Sequence, residues 1–376
     1  MDRELTFSAP GRVEISGNHT DHQWGCVLTA AIDLNTQACV RPNGEGIIRL
    51  NSQGFAPVQV RLDELVPREA EKNTTAAIVR GMAAAFAQRG VTLTGFDADV
   101  TSTVLPGSGL SSSAAFEVMM GRIFNGLCCQ NTVSPVEIAK MGQWVENTYF
   151  GKPCGLMDQM ASSVGGLVYI DFADPADPVV ERVDYDFSAC GYVMCVIDSG
   201  ADHADLTAEY AAIPQELAQV CRLFGCQTLR QVPETDFYAR LPQVRQAAGD
   251  RAALRAMHVY EENRRVAAQV AALKMGDFPE FLRLVEQSGQ SSWMYLQNVI
   301  PQGNVLGQQM AMTIALDRTL LAGRGAVRVH GGGFAGTAQA FVPVEMLSEF
   351  KQNMEAILGK GRCHVLSIRP EGGAVL

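Results

Sequence analysis

The sequence has few basic residues and no long apolar run. Its 376 residues include 30 Lys and Arg against 40 Asp and Glu, which gives a formal net charge of -10. An acidic surface argues against non-specific binding to nucleic acid, although a nest of backbone N–H groups can still hold a phosphate. No apolar stretch is long enough to span a bilayer. We therefore expect neither a nucleic-acid nor a membrane partner.

The sequence also lacks a CxxC pair and a visible signal peptide. Its 10 cysteines are scattered through apolar segments, as buried thiols usually are. The first residues, "MDRELTFSAP", show no basic region followed by an apolar one. These features predict a reducing cytoplasm, and we expect a monomer or weak homodimer there.

The sequence also lacks both common types of nucleotide site, the P-loop and the Rossmann dinucleotide site. No GxxxxGK[ST] occurs, which excludes a P-loop site. "HGGGFAG" at 330–336 formally contains G-x-G-x-x-G, but a strand pattern follows it where a dinucleotide site needs a helix. We predict a tight strand–loop–strand connection there, close to another backbone or a ligand.

The predicted secondary structure differs between the two halves of the chain. The first half mixes strands and helices, whereas the second half is rich in helices and ends in strands. The change of pattern predicts a domain boundary near residue 190–200. Helices are predicted over 74–88, 135–150, 204–224, 252–273, 277–287 and 305–323. Strands are predicted for "LTFSA", "GCVLTAAID", "QACVRP", "GIIRLNS", "FDADVTSTV", "LVYIDF", "GYVMCVI", "GAVRVH", "TAQAFVPV" and "CHVLSI".

The strongest chemical signal is "PGSGLSSSAA" at 106–115. Its glycines allow the backbone to turn and expose N–H groups, and its serines stand where a helix begins. Unpaired N–H groups and the dipole at a helix N-terminus favour an anion, so this loop is a candidate phosphate site. The alternative is a glycine-serine turn that only caps the helix.

Several polar residues elsewhere could carry chemistry. Asp158 in "GLMDQMAS" could be a general base, or could cap a helix, which the residue alone favours. Glu146, late in a helix, could ligate Mg²⁺ or be an exposed helix residue. His19 and His22 have HxxH spacing, but a hydrogen-bonding role is favoured over zinc.

Together these segments resemble the GHMP kinase superfamily, and its galactokinase branch in particular. "GRVEISGNHTDHQWGCVLTAAI" is similar to the galactokinase signature G-R-V-N-L-I-G-E-H-T-D-Y followed by G-x-V-L. "LPGSGLSSSAA", "GLMDQMAS", "RVHGGGFAG" and "IRPEGGA" resemble the phosphate loop, the catalytic aspartate segment, the R-M-T-G-G-G-F-G-G block and the C-terminal strand. The resemblance extends from residue 9 to residue 374.

The resemblance implies a fold of two α+β domains, 1–190 and 191–376, with the site in the cleft between them and the last strand able to return to the first domain. It also implies ATP and Mg²⁺. Asp158 would be the catalytic base, Arg12 would hold it ionised, and Ser113 and Glu146 would bind the metal. Phosphate binding would fall to Pro106, Gly107, Ser108, Gly109, Leu110, Ser111, Ser112, Ser113 and Ala114. Sugar binding would fall to Arg12, Asn18, His19, Asp21, Gly155, Asp158 and Tyr210.

The chain departs from the galactokinase pattern near the sugar. "GEHTDY" becomes "GNHTDH", so Asn18 replaces the glutamate that contacts the C6 hydroxyl and His22 replaces the tyrosine. His330 replaces a threonine, and "SGQSSWMYLQNVIPQGN" departs from the family's "SHxSL…CPELD". The expected activity is phosphorylation of the anomeric hydroxyl of galactose or a similar sugar.

Three alternatives remain open. The substrate could be a C6-modified sugar such as galacturonate, which an uncharged Asn18 would not repel, or a pentose such as arabinose. The chain could be a non-catalytic sugar sensor, although an uninterrupted "SSSAA" favours an enzyme. It could also be a kinase for mevalonate or homoserine, although "HTD" and "RPEGGA" favour the sugar branch.

Overall fold

The computed structural model describes residues 4–104, 109–152, 154–201 and 206–376. Within these residues the strands form two sheets. The strands of the first sheet are β1 (Leu5–Ser16), β2 (Cys26–Pro42), β3 (Ile47–Ser52), β4 (Val58–Arg61), β5 (Phe96–Ser102), β6 (Leu167–Asp171), β7 (Val179–Val183) and β12 (Ala374–Val375). Those of the second sheet are β8 (Tyr192–Asp198), β9 (Ala326–Val329), β10 (Thr337–Pro343) and β11 (Cys363–Leu366).

The helices follow the same division. The first half contains α1 (Thr75–Gln88), α2 (Ser112–Cys128), α3 (Pro135–Val145) and α4 (Met157–Val164). The second half contains α5 (Thr207–Arg222), α6 (Glu234–Ala239), α7 (Leu241–Ala248), α8 (Asp250–Lys274), α9 (Phe278–Ser291), α10 (Gln309–Leu321) and α11 (Leu347–Leu358). Single π-helical turns at Glu146–Phe150 and Ser292–Leu296 extend α3 and α9.

Both sheets bury one face against helices. The first runs in the order β12-β1-β2-β5-β3-β4, with β6 and β7 continuing from β2, and its core packs on α1, α2 and α3. The second runs β11-β8-β10-β9 and packs on α10 and α11. The mixed fold confirms the predicted α+β class, and β12 pairs with β1 in the first sheet. The boundary at residue 190 stays a prediction.

β2 corrects the sequence prediction of two separate strands. It continues through residues 34–36, which lie between the two predicted strands. The reason is a change of partner: Cys26–Ala30 pair with β6, and Thr36–Pro42 pair with β5. The short elements β4, β7, α6 and α7 were not predicted, because a segment of a few residues leaves too little periodicity to detect.

Capping chemistry predicted the ends of α3 well. The Ser134 hydroxyl accepts from the Glu137 N–H at 3.2 Å, and the Glu137 carboxylate accepts from the Ser134 N–H at 3.1 Å. Gly151, with φ of 86°, ends the π turn in the left-handed region. The π turn itself was not predicted, and it begins at Glu146.

No helix in the described ranges has both the length and the apolar character needed to cross a membrane.

Candidate active site

Arg12 and Asp158 form the centre of the site. Arg12 lies on β1, Asp158 lies in the first turn of α4, and two bonds join them, from Nε to Oδ1 at 2.7 Å and from Nη2 to Oδ2 at 2.8 Å. The Arg12 side chain is 8% exposed and that of Asp158 is 32% exposed. A bidentate pair of this kind fixes the carboxylate in one orientation while leaving part of it open to the solvent side.

The phosphate loop is tied directly to this pair. The Arg12 N–H donates to the Leu110 carbonyl at 3.0 Å, and Arg12 Nη1 donates to the Gly109 carbonyl. Ser111 occupies the position before α2 with φ of 55°, and its hydroxyl donates to Asp158 Oδ2. The loop therefore meets the candidate base at the N-terminus of α2, where the helix dipole favours an anion.

The other predicted phosphate residues divide into two groups. Ser112 and Ser113 lie half-buried in the first turn of α2, and Ala114 behind them is fully buried. Pro106, Gly107 and Ser108 lie outside the described residues.

The electrostatics keep Asp158 charged. Burial raises its pKa, but the Arg12 charge, the Arg12 hydrogen bonds and the Ser111 hydroxyl outweigh burial and lower the pKa below its ordinary value. The expectation from the residue alone, that Asp158 caps a helix, is therefore wrong: Leu156 is the N-cap, and the Asp158 side chain turns to Arg12 instead.

A second carboxylate cluster lies behind Asp158. Gln159 Nε2 donates to Glu146 Oε2 at 2.8 Å and to Glu117 Oε2 at 2.9 Å, so one amide bridges two acids. Glu146 is 3% exposed, which corrects the alternative that it is an exposed helix residue. Burial, and then the Glu146 charge, raise the pKa of Glu117 well above its usual value.

The cluster suits a divalent cation held together with a nucleotide. Ser113 and Glu117 are four residues apart on α2 and share a helix face, and Gln159 links Glu117 to Glu146. Glu117 Oε1 and Gln159 Oε1 are buried without a hydrogen-bond partner. In the described ranges, no three His, Cys, Asp or Glu side chains are grouped to hold a metal by themselves. A hydroxyl, a carboxylate and nucleotide phosphates are the donors that Mg²⁺ prefers.

Asp21 and Gly155 lie against each other at the open side of the site. A Cβ at Gly155 would lie 2.3 Å from Asp21 Oδ2, so a larger residue there would displace the carboxylate. Burial raises the pKa of Asp21, although its Oδ1 accepts from the His22 N–H at 2.8 Å, which acts in the opposite direction. Both residues line a cavity of about 510 Å³ with Trp24, Cys154 and other side chains.

A chain of hydrogen bonds fixes His22 and His19. Gln23 Oε1 accepts from the Leu229 N–H at 3.1 Å, so Gln23 Nε2 donates to His22 Nδ1 at 3.0 Å. His22 Nε2 then donates to His19 Nδ1 at 3.2 Å, and His19 Nε2 donates to the Gly332 carbonyl at 3.0 Å. All four ring nitrogens are engaged in this arrangement.

Asn18 does not face an open pocket, contrary to the expectation that its side chain meets the sugar. It is 0% exposed. Its amide Nδ2 donates to Glu14 Oε1 at 3.1 Å and to the Gly331 carbonyl, while Oδ1 accepts from Asn298 Nδ2 at 2.7 Å. Any effect of Asn18 on the sugar is therefore transmitted through its neighbours.

The departures from the galactokinase pattern meet in one place. Asn298 belongs to the divergent segment 288–304, and it contacts both Asn18 and the Gly332 carbonyl at 3.1 Å. His330 Nε2 accepts from the Glu14 N–H at 3.2 Å. The signature has asparagine where this chain has Glu14 and glutamate where it has Asn18, so the amide and the carboxylate are exchanged.

Tyr210 packs against the glycine loop 330–336, which Asn298 also contacts. The Tyr210 hydroxyl donates to the Gly333 carbonyl at 2.8 Å, and a Cβ at Gly332 would lie 2.8 Å from the tyrosine ring. The loop 330–336 joins β9 to β10, which are antiparallel neighbours, so the predicted strand–loop–strand connection is confirmed.

Three site residues were not predicted from the sequence: Glu117, Gln159 and Lys152. Glu117 follows Ser113 by one helical turn, and Gln159 follows Asp158, which are the signals that could have found them.

Comparison with known proteins agrees with this geometry. Residues 77–166 match the family of GHMP kinases N terminal domain, and residues 2–42 match the galactokinase galactose-binding signature. A galactokinase of Streptomyces coelicolor is 31% identical over 99% of this chain and 94% of its own length. The chain belongs to the galactokinase family. It is thus a sugar kinase, with ATP as co-substrate.

Other relatives support the assignment at two levels. A galactokinase of Actinobacillus pleuropneumoniae is 31% identical over 92% of this chain and 87% of its own length. The structure of Lactococcus lactis galactokinase complexed with galactose matches with a TM-score of 0.82 and 25% identity, over 100% of this chain and 95% of that one. A mevalonate kinase matches with a TM-score of 0.67 at 16% identity over 98% of this chain and all (100%) of that one, which shows a shared fold alone.

Proposed function

We propose that this galactokinase-family enzyme transfers the γ-phosphoryl group of ATP to the anomeric hydroxyl of galactose or a galactose-like sugar. The observation that carries the proposal is the contact of the Arg12–Asp158 pair with Ser111 at the N-terminus of α2. This contact brings a charged carboxylate and a phosphate-binding loop within one hydrogen bond of each other, which is the arrangement that direct phosphoryl transfer requires.

The reaction follows from these positions. The sugar oxygen attacks the γ-phosphorus and forms a new O–P bond, while the bond from that phosphorus to the bridging oxygen breaks and ADP leaves with the electron pair. Asp158, kept ionised, accepts the hydroxyl proton. Arg12 offsets charge on the transferring group, and the loop Pro106–Ala114 holds the phosphates through N–H groups and serine hydroxyls. Mg²⁺ on Ser113 and Glu146 would supply further neutralisation of phosphate charge.

The sugar pocket is proposed to lie around Asp21, Gly155 and Tyr210. The Asp21 carboxylate is available to sugar hydroxyls through Oδ2, next to a glycine that leaves room for the ring. His19 is proposed to border the sugar with its ring rather than with a ring nitrogen, since both nitrogens are bonded to protein. Asn18 is proposed to shape the side of the pocket next to His19 indirectly, through the protein groups to which it is bonded. This side of the pocket is called the Asn18 wall below.

A second candidate, a sugar without an oxygen at C6, is favoured by the wall around Asn18 and His19. The polar side-chain atoms of both residues are already bonded to protein. A C6 hydroxyl or carboxylate would find no partner among them, and an unsatisfied polar group costs about 1–3 kcal/mol when buried. Among the C6 alternatives this favours arabinose over galacturonate.

A substrate panel with ATP and Mg²⁺, scored by ADP release, tests both candidates. The panel contains galactose, galacturonate, arabinose and an N-acetylated sugar. The highest kcat/KM for galactose would support the first candidate, and the highest for arabinose would support the second. Turnover of galacturonate above both would contradict the reading of the Asn18 wall. Binding without any transfer would contradict the enzyme and indicate a sugar sensor.

The finer cellular expectations remain proposals. We propose a cytoplasmic enzyme that is a monomer or weak homodimer. All ten cysteines are free thiols in the structure, which supports a reducing compartment. Light scattering after size exclusion at two concentrations would measure the oligomeric state.

A further inference from the structure

Lys152 is held at the mouth of the carboxylate cluster by the turn that ends α3. The Gly151 and Lys152 N–H groups both donate to the Glu146 carbonyl, at 2.9 and 3.1 Å. Gly151 takes a left-handed conformation with φ of 86°, which reverses the chain just after the π turn. The backbone of Lys152 is therefore fixed relative to Glu146, whatever its side chain does.

The Lys152 side chain faces the carboxylate that would bind the metal. Its Nζ lies 3.7 Å from Glu146 Oε1, while Glu146 Oε2 is occupied by Gln159. The lysine side chain is 63% exposed and that of Glu146 is 4% exposed, so the ammonium covers the outer side of a buried acid. At 3.7 Å this is a loose ion pair, and a compact cation on a flexible stem can leave it at small cost.

Lys152 is close enough to the candidate base and to the carboxylate cluster for its charge to act on both. Lys152 interacts electrostatically with Asp158 as well as with Glu117. Arg12, a second cation at this point, is committed to Asp158 and the Gly109 carbonyl. Of the basic side chains in the described part of the chain, Lys152 is the one paired with Glu146.

We propose that Lys152 is a phosphate-contacting residue that exchanges places with the metal. Without nucleotide it is the counter-ion of Glu146. With MgATP bound, Glu146 would help to hold the metal, and the Lys152 ammonium released from Glu146 would bond to an oxygen of the ATP phosphates. Lysine binds phosphate well as a point charge, and the added charge would stabilise negative charge at the γ-phosphoryl group. This inference rests on the proposed function, because it assumes that Glu146 binds the metal.

The exchange predicts opposite effects on metal and nucleotide in Lys152→Met. Mn²⁺ alone, followed by electron paramagnetic resonance, should bind at least about twofold more tightly than to the wild type, because a competing cation is gone. The dissociation constant of MgATP, measured by calorimetry without sugar, should rise about tenfold. A purely structural role would loosen Glu146 and weaken both.

The controls separate charge from local structure. Lys152→Arg keeps the charge and should retain most MgATP affinity. Lys140→Met removes a lysine on α3 that bonds to the Ala176 carbonyl at 2.7 Å and pairs with Asp177 at 3.8 Å rather than with Glu146, and it should change neither constant. Equal or weaker Mn²⁺ binding by Lys152→Met, or no binding by either protein, overturns the ion exchange. Unchanged MgATP affinity overturns the phosphate contact.

These readouts do not depend on the sugar. If the wild-type protein phosphorylates no sugar in the panel but Lys152→Met shows the two opposite shifts, the proposed function fails and the role of Lys152 stands. If sugars are phosphorylated and the shifts are absent, the proposed function stands and the role of Lys152 fails.

Discussion

At the scale of single residues, Asp158 is defined by two partners that are remote in sequence. From its own segment it reads as a helix cap, but Arg12 on β1 and Ser111 before α2 give it a fixed orientation and a lowered pKa. A carboxylate that is ionised before the reaction can accept a proton late in the transfer, when the attacking hydroxyl has become acidic.

Asp158→Asn should therefore reduce kcat by at least about 100-fold, because an amide can keep a hydrogen bond to Arg12 but cannot accept the proton. Steady-state ADP release measures the loss, and MgATP calorimetry with circular dichroism verifies binding and fold. Turnover within tenfold of the wild-type value would contradict the assignment of the base.

Asn18 is the second residue whose role changes with its surroundings. Asn18→Glu introduces a buried carboxylate within reach of Glu14, and two buried like charges are costly. We expect a loss of about 2–4 kcal/mol in the free energy of unfolding, measured by urea denaturation.

The matched control restores one acid and one amide. Glu14→Asn combined with Asn18→Glu should recover at least half of that loss, since Arg328 and Asn18 both bond to Glu14 Oε1, so a carboxylate at 18 would be near the Arg328 charge. If the double variant is no more stable than Asn18→Glu alone, the two residues are not a coupled pair.

At the scale of elements, the segment after β1 is held by the bond chain from Leu229 through Gln23, His22 and His19 to Gly332. Burial, and then the nearby His19, lower the pKa of His22 to about 3. The folded protein therefore keeps His22 neutral where the unfolded chain, with an ordinary pKa near 6.5, binds a proton. Its contribution to stability is complete above pH 6.5 and declines as pH falls toward 3.

His22→Gln isolates this contribution, because the amide can bond to the same neighbours but does not titrate. The stability advantage of the wild-type protein over the variant should be largest at pH 7.5 and shrink below pH 6.5 by up to about 1.4 kcal/mol per pH unit. Urea denaturation at pH 7.5, 6.0 and 5.0 measures it. A constant difference across that range would mean that His22 binds a proton as readily in the folded state as in the unfolded chain.

The elements also show where sequence reasoning ends. Capping residues predicted α3, and the strand character after "HGGGFAG" predicted a strand–loop–strand connection, because both signals are local. The continuity of β2 was missed, since the polar Asp33 and Asn35 interrupt its apolar pattern where its pairing changes from β6 to β5.

At the scale of the whole molecule, a buried ion pair joins the two sheets. Arg328 on β9 donates to Glu14 on β1 at 2.6 Å and to the Ile15 carbonyl at 2.6 Å, and its side chain is 0% exposed. The pair connects the wall around Asn18 with the loop that contacts Tyr210.

Arg328→Met should lower the free energy of unfolding by about 3–5 kcal/mol, because it leaves the Glu14 carboxylate buried and unpaired. Arg61→Met breaks the exposed pair with Asp63, where both side chains are more than half exposed, and should cost less than about 1 kcal/mol. Equal losses in the two variants, measured by the same urea titration, would contradict a special role for the buried pair.

The sequence by itself determined the family-like motifs, the α+β class and the candidates Arg12, Asp158 and Glu146, because each signal lies within a short segment. The tertiary structure decided what those residues touch. It buried Asn18 against Glu14 and Asn298, and it set Gln159 between two acids and Lys152 over one of them. The contacts of Asn18 with Asn298 and of Gln159 with Glu117 join residues that are remote in sequence, so their geometry depends on how the elements pack and has no trace in any one stretch of sequence.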